Sequence, residues 1–179
     1  MNNFLSDENI ALHSEYQRNI RLKYSIFESS YPMLVGASMK DILHFRLSSR
    51  DKGEVTKLLA EMELHDVYFS SFGNERFPRS VNVADQYGSE SAFLNELFRL
   101  AMSLRYGFVT VDMNGRNISL STVCDYENMQ RFHRPLLAID VCEHAYFMDY
   151  GFDKERYLLN ALPYLDITKL TVADTRRLK

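Results

Sequence analysis

Asp140-Val141-Cys142-Glu143-His144-Ala145-Tyr146 follows directly on the apolar run Pro135-Leu136-Leu137-Ala138-Ile139. The run reads as a buried strand, and the residues after it place a carboxylate and an imidazole four positions apart at the strand's end. A carboxylate oxygen and a ring nitrogen emerging together from a buried strand could grip one transition-metal ion. Two donors do not make a site, so the reading turns on what else the chain can bring to them.

The chain has 179 residues, enough for one domain or two small layers sharing a site. Hydrophobic residues make up 46% and aromatic residues 13%, a composition that supports a core and argues against disorder. A formal net charge of -3 gives no basic field for nucleic acid and no polybasic membrane patch. No apolar run approaches a bilayer span. The opening Met1-Asn2-Asn3-Phe4-Leu5-Ser6-Asp7-Glu8 has neither a basic flank nor an apolar stretch, so no secretory signal is expected. Cys124 and Cys142 form neither a CxxC pair nor a disulfide framework, and the expected location is the reducing cytoplasm.

Periodicity predicts a long helix over 7–30, ended near Ser29-Ser30-Tyr31-Pro32, where proline removes a backbone donor. A weaker helix is expected over 38–47 and a third from Glu54 to Phe69, with Val55, Leu58, Leu59 and Met62 on one stripe. Ser70 to Val83, with Gly73 and Pro78, reads as the connecting loop between halves. Ser89 is placed to cap a helix running to Leu104, which Gly107 closes off. Phe108–Val111 and Ile118–Val123 flank Asn114-Gly115, a hairpin signal, and Pro135–Val141 is a third strand. Helices are expected again at Lys154–Leu162 and from Asp166 onward. The fold class is α+β: an N-terminal long-helix hairpin (1–75), then a C-terminal part (84–179) with a three-stranded antiparallel sheet flanked by helices.

Of five histidines (His13, His44, His65, His133 and His144), His65 closes the third helix on the same face as Glu61. His13 lies inside the first helix, with Gln17, Arg21 and Tyr24 continuing along its face. One histidine from each helix, joined to Asp140 and His144, gives three nitrogens and one oxygen. That set leaves room for solvent or substrate, as a redox or hydrolytic centre needs.

Several segments resemble the iron/manganese superoxide dismutases. Asp140 to Tyr146 is similar to that family's Asp-x-Trp-Glu-His-Ala-Tyr signature, with Cys142 in the tryptophan position. His65-Asp66-Val67-Tyr68-Phe69 resembles its NHxxFW ligand motif, and Tyr87 to Phe93 followed by Ala101 to Gly107 resembles its FGS-x-x-x-F...A-x-x-x-FG helix. Tyr157 to Leu165 echoes its closing helices more faintly. The resemblance implies a single iron or manganese ion held by His13, His65, Asp140 and His144, superoxide as the substrate, and a homodimer. In that homodimer Glu143 reaches across a two-fold to the ligand histidine of the other subunit. A one-residue shift would put Leu12 in the place of His13; a metal's need for a nitrogen favours His13.

The surroundings depart from the family more than the ligands do. There is no tryptophan, and Cys142 and Phe69 stand in two of the family's tryptophan positions. Gln17 falls where the family has a second histidine, Arg21 where it has a gateway tyrosine, and Phe147 where it has a tyrosine supporting that histidine. Ser121 to Asp125 lacks the manganese-type outer glutamine, and the iron-type position is Glu61. The resemblance therefore implies an oxidoreductase, a superoxide dismutase, with Glu61, Arg21 and Gln17 as site residues beside the metal. Two other readings stay open: a one-way superoxide or peroxide reductase, and a metal-free structural or interaction protein. The altered positions leave iron and manganese undistinguished.

Overall fold

The computed structural model describes residues 4–124 and 134–171. Helix α1 spans Asp7–Ser30, and Ser6 starts it by accepting a hydrogen bond from the Asn9 amide. Its inward stripe is Asn9, His13, Ile20 and Tyr24. Two of those four are polar, an unusual arrangement for a buried helix face. A 3-10 turn at Pro32–Leu34 and the short α2, Met39–His44, lead to α3, Ser49–Ser70.

Helix α3 starts five residues before the expected Glu54, because the Ser48 hydroxyl accepts from the Asp51 amide and that cap carries the helix through Gly53. The same cap truncates the preceding helix, which ends at His44 rather than at 47. The inward face of α3 carries Val55, Leu58, Leu59, Leu64, His65 and Tyr68, and it packs along α1. The loop after it is shorter than expected, since α4, Val81–Tyr87, occupies its end. Ser89 then caps α5, Glu90–Ser103, as anticipated.

Three strands follow: β1, Phe108–Asn114; β2, Asn117–Val123; and β3, Leu137–Asp140. The sheet order is β2-β1-β3, antiparallel throughout. The hairpin pairs Asn114 with Asn117, with Gly115 at positive φ in its turn. All four β3 residues are buried. β3 lies at the sheet edge, and α3 covers that edge: the Ala138 amide donates to the Ser71 hydroxyl at 2.8 Å. Beyond β3 lie a 3-10 turn at Glu143–Ala145, α6 (Phe147–Tyr150), α7 (Lys154–Ala161) and two further 3-10 turns, Leu162–Tyr164 and Ile167–Leu170. The expected helix from Asp166 is a 3-10 turn as far as Leu170, and its remainder lies outside the described residues.

These elements form one buried apolar cluster running from α1 through the sheet to α7, an α+β arrangement. Among the described residues no helix is long and apolar enough to cross a membrane.

Gly107 joins the sheet to the segment after β3. Its amide donates to Cys142 Sγ at 3.1 Å and its carbonyl accepts from the Val141 amide at 3.0 Å. Its φ is +105°, and a Cβ there would sit 2.1 Å from the Val123 carbonyl oxygen. Gly107→Ala should therefore lose about 2–4 kcal/mol in urea unfolding, from backbone strain and a forced shift of β2. A loss below about 1 kcal/mol would show that β2 yields freely at this point.

Candidate metal centre

His13, His65, Asp140 and His144 converge, each offering an atom within 4.8 Å of the others. The sequence separation is large, and packing brings them together. His13 comes from the second turn of α1, His65 from the last turns of α3, Asp140 from the end of β3, and His144 from the following 3-10 turn. Asp140 Oδ2 is the centre of the group. It lies 3.0 Å from His144 Nε2, 3.3 Å from His13 Nε2 and 3.6 Å from His65 Nε2. The Nε2 atoms of His65 and His144 are 3.4 Å apart.

Each donor is aimed by a specific contact. His65 Nδ1 donates to the Glu61 carbonyl at 2.7 Å, one turn back on α3, which leaves the Nε2 lone pair facing the cluster. Asp140 Oδ1 accepts from the Cys142 amide at 2.8 Å, so Oδ2 remains for the histidines. The Asp140 backbone carbonyl accepts from the Tyr157 hydroxyl at 3.2 Å, and Tyr68 donates in turn to Tyr157. Aromatic rings form the walls: Tyr68 and Phe69 lie 4.8 and 4.9 Å from the His13 ring, and Phe108 lies 5.2 Å from His65.

His13 is fully buried, yet neither of its ring nitrogens has a hydrogen bond of acceptable geometry among the described residues. The 3.3 Å approach of Nε2 to Asp140 is close in distance but poorly directed. A buried unsatisfied imidazole costs about 1–3 kcal/mol, so such a group calls for an explanation. Three imidazoles and one carboxylate, with an orphaned nitrogen among them, match the donor chemistry of iron or manganese. The residues present fit the ion.

Protonation supports the same fit. Burial pushes the Asp140 carboxyl up, but the close approach of His13 and the hydrogen bond with His144 outweigh that and hold it well below the usual carboxylate range. Burial lowers His65 to about 4, with Asp140 pulling partly the other way, so its ring is neutral at pH 7.

The other expected site residues are placed differently. Glu61 is half-buried one turn from His65; burial raises its carboxyl, with Lys57 and then His144 acting against that. Gln17 Nε2 and Arg21 both donate at 2.6 Å to one oxygen of Asp66, the residue after His65. Their hydrogen bonds thus join α1 to α3 rather than point at the cluster. Glu143 and Phe147 are exposed, His44 is exposed and bonded to its own helix through the Lys40 carbonyl, and His133 lies outside the described residues.

Two contacts were not anticipated from the sequence. Asn9, fully buried one turn before His13, donates from Nδ2 to the Ala145 carbonyl at 2.7 Å and accepts at Oδ1 from the Met148 amide at 3.1 Å. It therefore ties α1 to the residues flanking His144. The signal was present: Asn9 lies on the same helical stripe as His13. Tyr16 is the second, and its ring stacks on His144 at 4.0 Å. Burial, then Glu61, pushes its phenol up to about 12.

An α+β frame that gathers three imidazoles and one carboxylate around a buried point has the side-chain chemistry of a mononuclear metal centre. The profile described as "Iron/manganese superoxide dismutases, C-terminal domain" matches residues 79–171, just over half of the chain, and the chain belongs to that family. The match contains Asp140 and His144; His13 and His65 precede it and reach the cluster through the fold. No curated protein matches the chain.

The His65 shift has a thermodynamic consequence for the metal-free protein. The unfolded imidazole titrates near 6.5 and the folded one near 4. As pH falls through that window the unfolded state binds the extra proton, so stability declines with acidification. The decline should total roughly 3 kcal/mol between about pH 6.5 and about pH 4, read by urea unfolding in chelator. Asp140, depressed below its ordinary 3.8, adds its own loss only at lower pH. Stability that stays level across the window would contradict the burial of a neutral His65.

Proposed function

We propose that this protein is a metal-dependent superoxide dismutase, converting two superoxide anions and two protons to dioxygen and hydrogen peroxide. One iron or manganese ion per subunit would be held by His13, His65, Asp140 and His144. The observation that carries the reading is the orphaned, fully buried His13 facing an ionised carboxylate and two further imidazoles. When bound, the ion supplies the redox chemistry, taking an electron from one superoxide and giving one to another. The protein supplies the rest. Asp140 contributes the fixed negative charge, the Glu61 carbonyl sets the His65 tautomer, and the aromatic walls exclude bulk water.

Glu61 is the proton-holding group in this reading. Its carboxyl is coupled to His144 and Asp140 and is raised by burial, so it keeps a proton available nearer neutral pH than an exposed glutamate does. Gln17 and Arg21 act through Asp66, fixing the register in which α1 presents His13 to His65. Two unpaired cysteines suit the cytoplasm. The Glu61 carboxyl also favours a second reading, one-way reduction of superoxide or peroxide with electrons from an external reductant, because a proton-rich site supports the reduced metal and raises its potential.

Protein purified without added metal should carry about one iron or manganese per subunit by elemental analysis, and His65→Ala or Asp140→Ala should abolish it. Metal-free protein would leave only a structural or interaction role. With metal present, dioxygen and peroxide should form in equal amounts. Peroxide without dioxygen would assign the one-way reaction instead, and Glu61→Gln should then restore the balance.

We also propose a homodimer in which Glu143 reaches the partner's site. Glu143 is exposed beside His144, and Phe147, Met148 and Phe152 expose a neighbouring apolar patch. Sedimentation velocity at micromolar concentration should give a dimer that Glu143→Ala weakens. A monomer in the unsubstituted protein would remove this part of the reading.

A further inference from the structure

Three of the four clustered side chains are sealed from solvent; the fourth is His144, whose side chain is 23% exposed. Its outward surface is not bare. Tyr16 lies three residues beyond His13 on α1, so one helix delivers both a member of the cluster and a ring beside it. That ring lies nearly parallel to the His144 imidazole, with centroids 4.0 Å apart and planes inclined by 19°. It is also 5.5 Å from the His65 ring. Tyr16 is itself 37% exposed, so it stands between this histidine pair and water.

Other sides of the cluster are packed by side chains. Tyr68 and Phe69 close the His13 side, Phe108 closes the His65 side, and the buried strand β3 closes the side of Asp140. We infer that Tyr16 is the cover of the site: its ring holds the His144 imidazole in place and sets the size of anion that reaches the cluster from solvent. This rests on the metal-centre reading above. A two- or three-atom anion is small enough to pass beside the ring. A flat aryl anion needs the ring to swing away, and a half-exposed side chain on a helix surface has rotamers that permit that movement. Tyr16 is thus an access-determining and positioning residue, separate from the Asp66-bound pair Gln17 and Arg21.

The test uses Tyr16→Ala, which removes the ring at a position where alanine favours the helix, and Tyr16→Phe, which keeps it. In metal-free full-length protein, carbethoxylation of each described histidine is followed by peptide mass. Exposed His44 is the fast reference, and buried His13 and His65 are the slow ones. Tyr16→Ala should raise the His144 rate about tenfold towards that of His44, and Tyr16→Phe should leave it unchanged. In metal-loaded protein, titration with azide and with benzoate by optical absorption should show benzoate gaining about tenfold or more over azide in Tyr16→Ala alone. An unchanged His144 rate in Tyr16→Ala, or an unchanged preference between the two anions, would overturn the cover. If the unsubstituted protein takes up no metal, the dismutase reading fails, while the His144 rate still decides whether Tyr16 covers the imidazole.

Discussion

A fully buried carboxylate at the end of β3 organises this molecule. Taking an ionised group out of water costs several kcal/mol unless its oxygens are satisfied, and Asp140 satisfies its own with contributions from across the fold. The Cys142 amide takes one oxygen and His144, with His13 and His65 close behind, surrounds the other. The backbone carbonyl of the same residue is held by Tyr157 from α7. So α1, α3, β3, the turn after β3 and α7 all meet at one residue. The covered edge of β3 and the close approach at Gly107 keep that residue where it is.

The surroundings of the cluster are defined by its walls as much as by its polar members. Phe69, Tyr68, Phe108 and Tyr16 bring apolar faces to within contact of the imidazoles. Such a lining excludes bulk water and strengthens the electrostatic interactions inside it. The polar members are few and each has an assigned direction. Asn9 is the clearest example, because its amide spends both of its ends on the segment that carries His144.

Much of this was legible in the sequence, and the reasons differ from residue to residue. The long helix, the hairpin at Asn114-Gly115 and the apolar strand before Asp140 are local patterns whose periodicity survives packing. The cluster of His13, His65, Asp140 and His144 was legible because donor chemistry and likeness to a known family pointed to the same four positions. Helix boundaries around Ser48 were missed because a single side-chain cap outweighed the breaking tendency of Gly53. Gln17 and Arg21 could be placed on the correct face of α1 but not given a partner. Asp66 is one position along from His65, and only the crossing of two helices decides that both donors reach it. Tyr16 was invisible for the same reason: its neighbour is 128 residues away in the chain, and nothing local marks the stack.

The order of the four clustered side chains along the chain also sets when a site that could hold an ion is complete. A ribosome delivers His13 and His65 first and Asp140 roughly 75 residues later. At ordinary elongation rates that gap lasts about 4–15 s. Throughout it only two of the three clustered imidazoles have been made and no Asp140, and two imidazoles alone discriminate poorly among the transition metals of a cell. Charge and geometry arrive together, with the last third of the polypeptide. Any choice of ion would therefore fall to the finished fold, where the carboxylate and the third imidazole stand beside the first two.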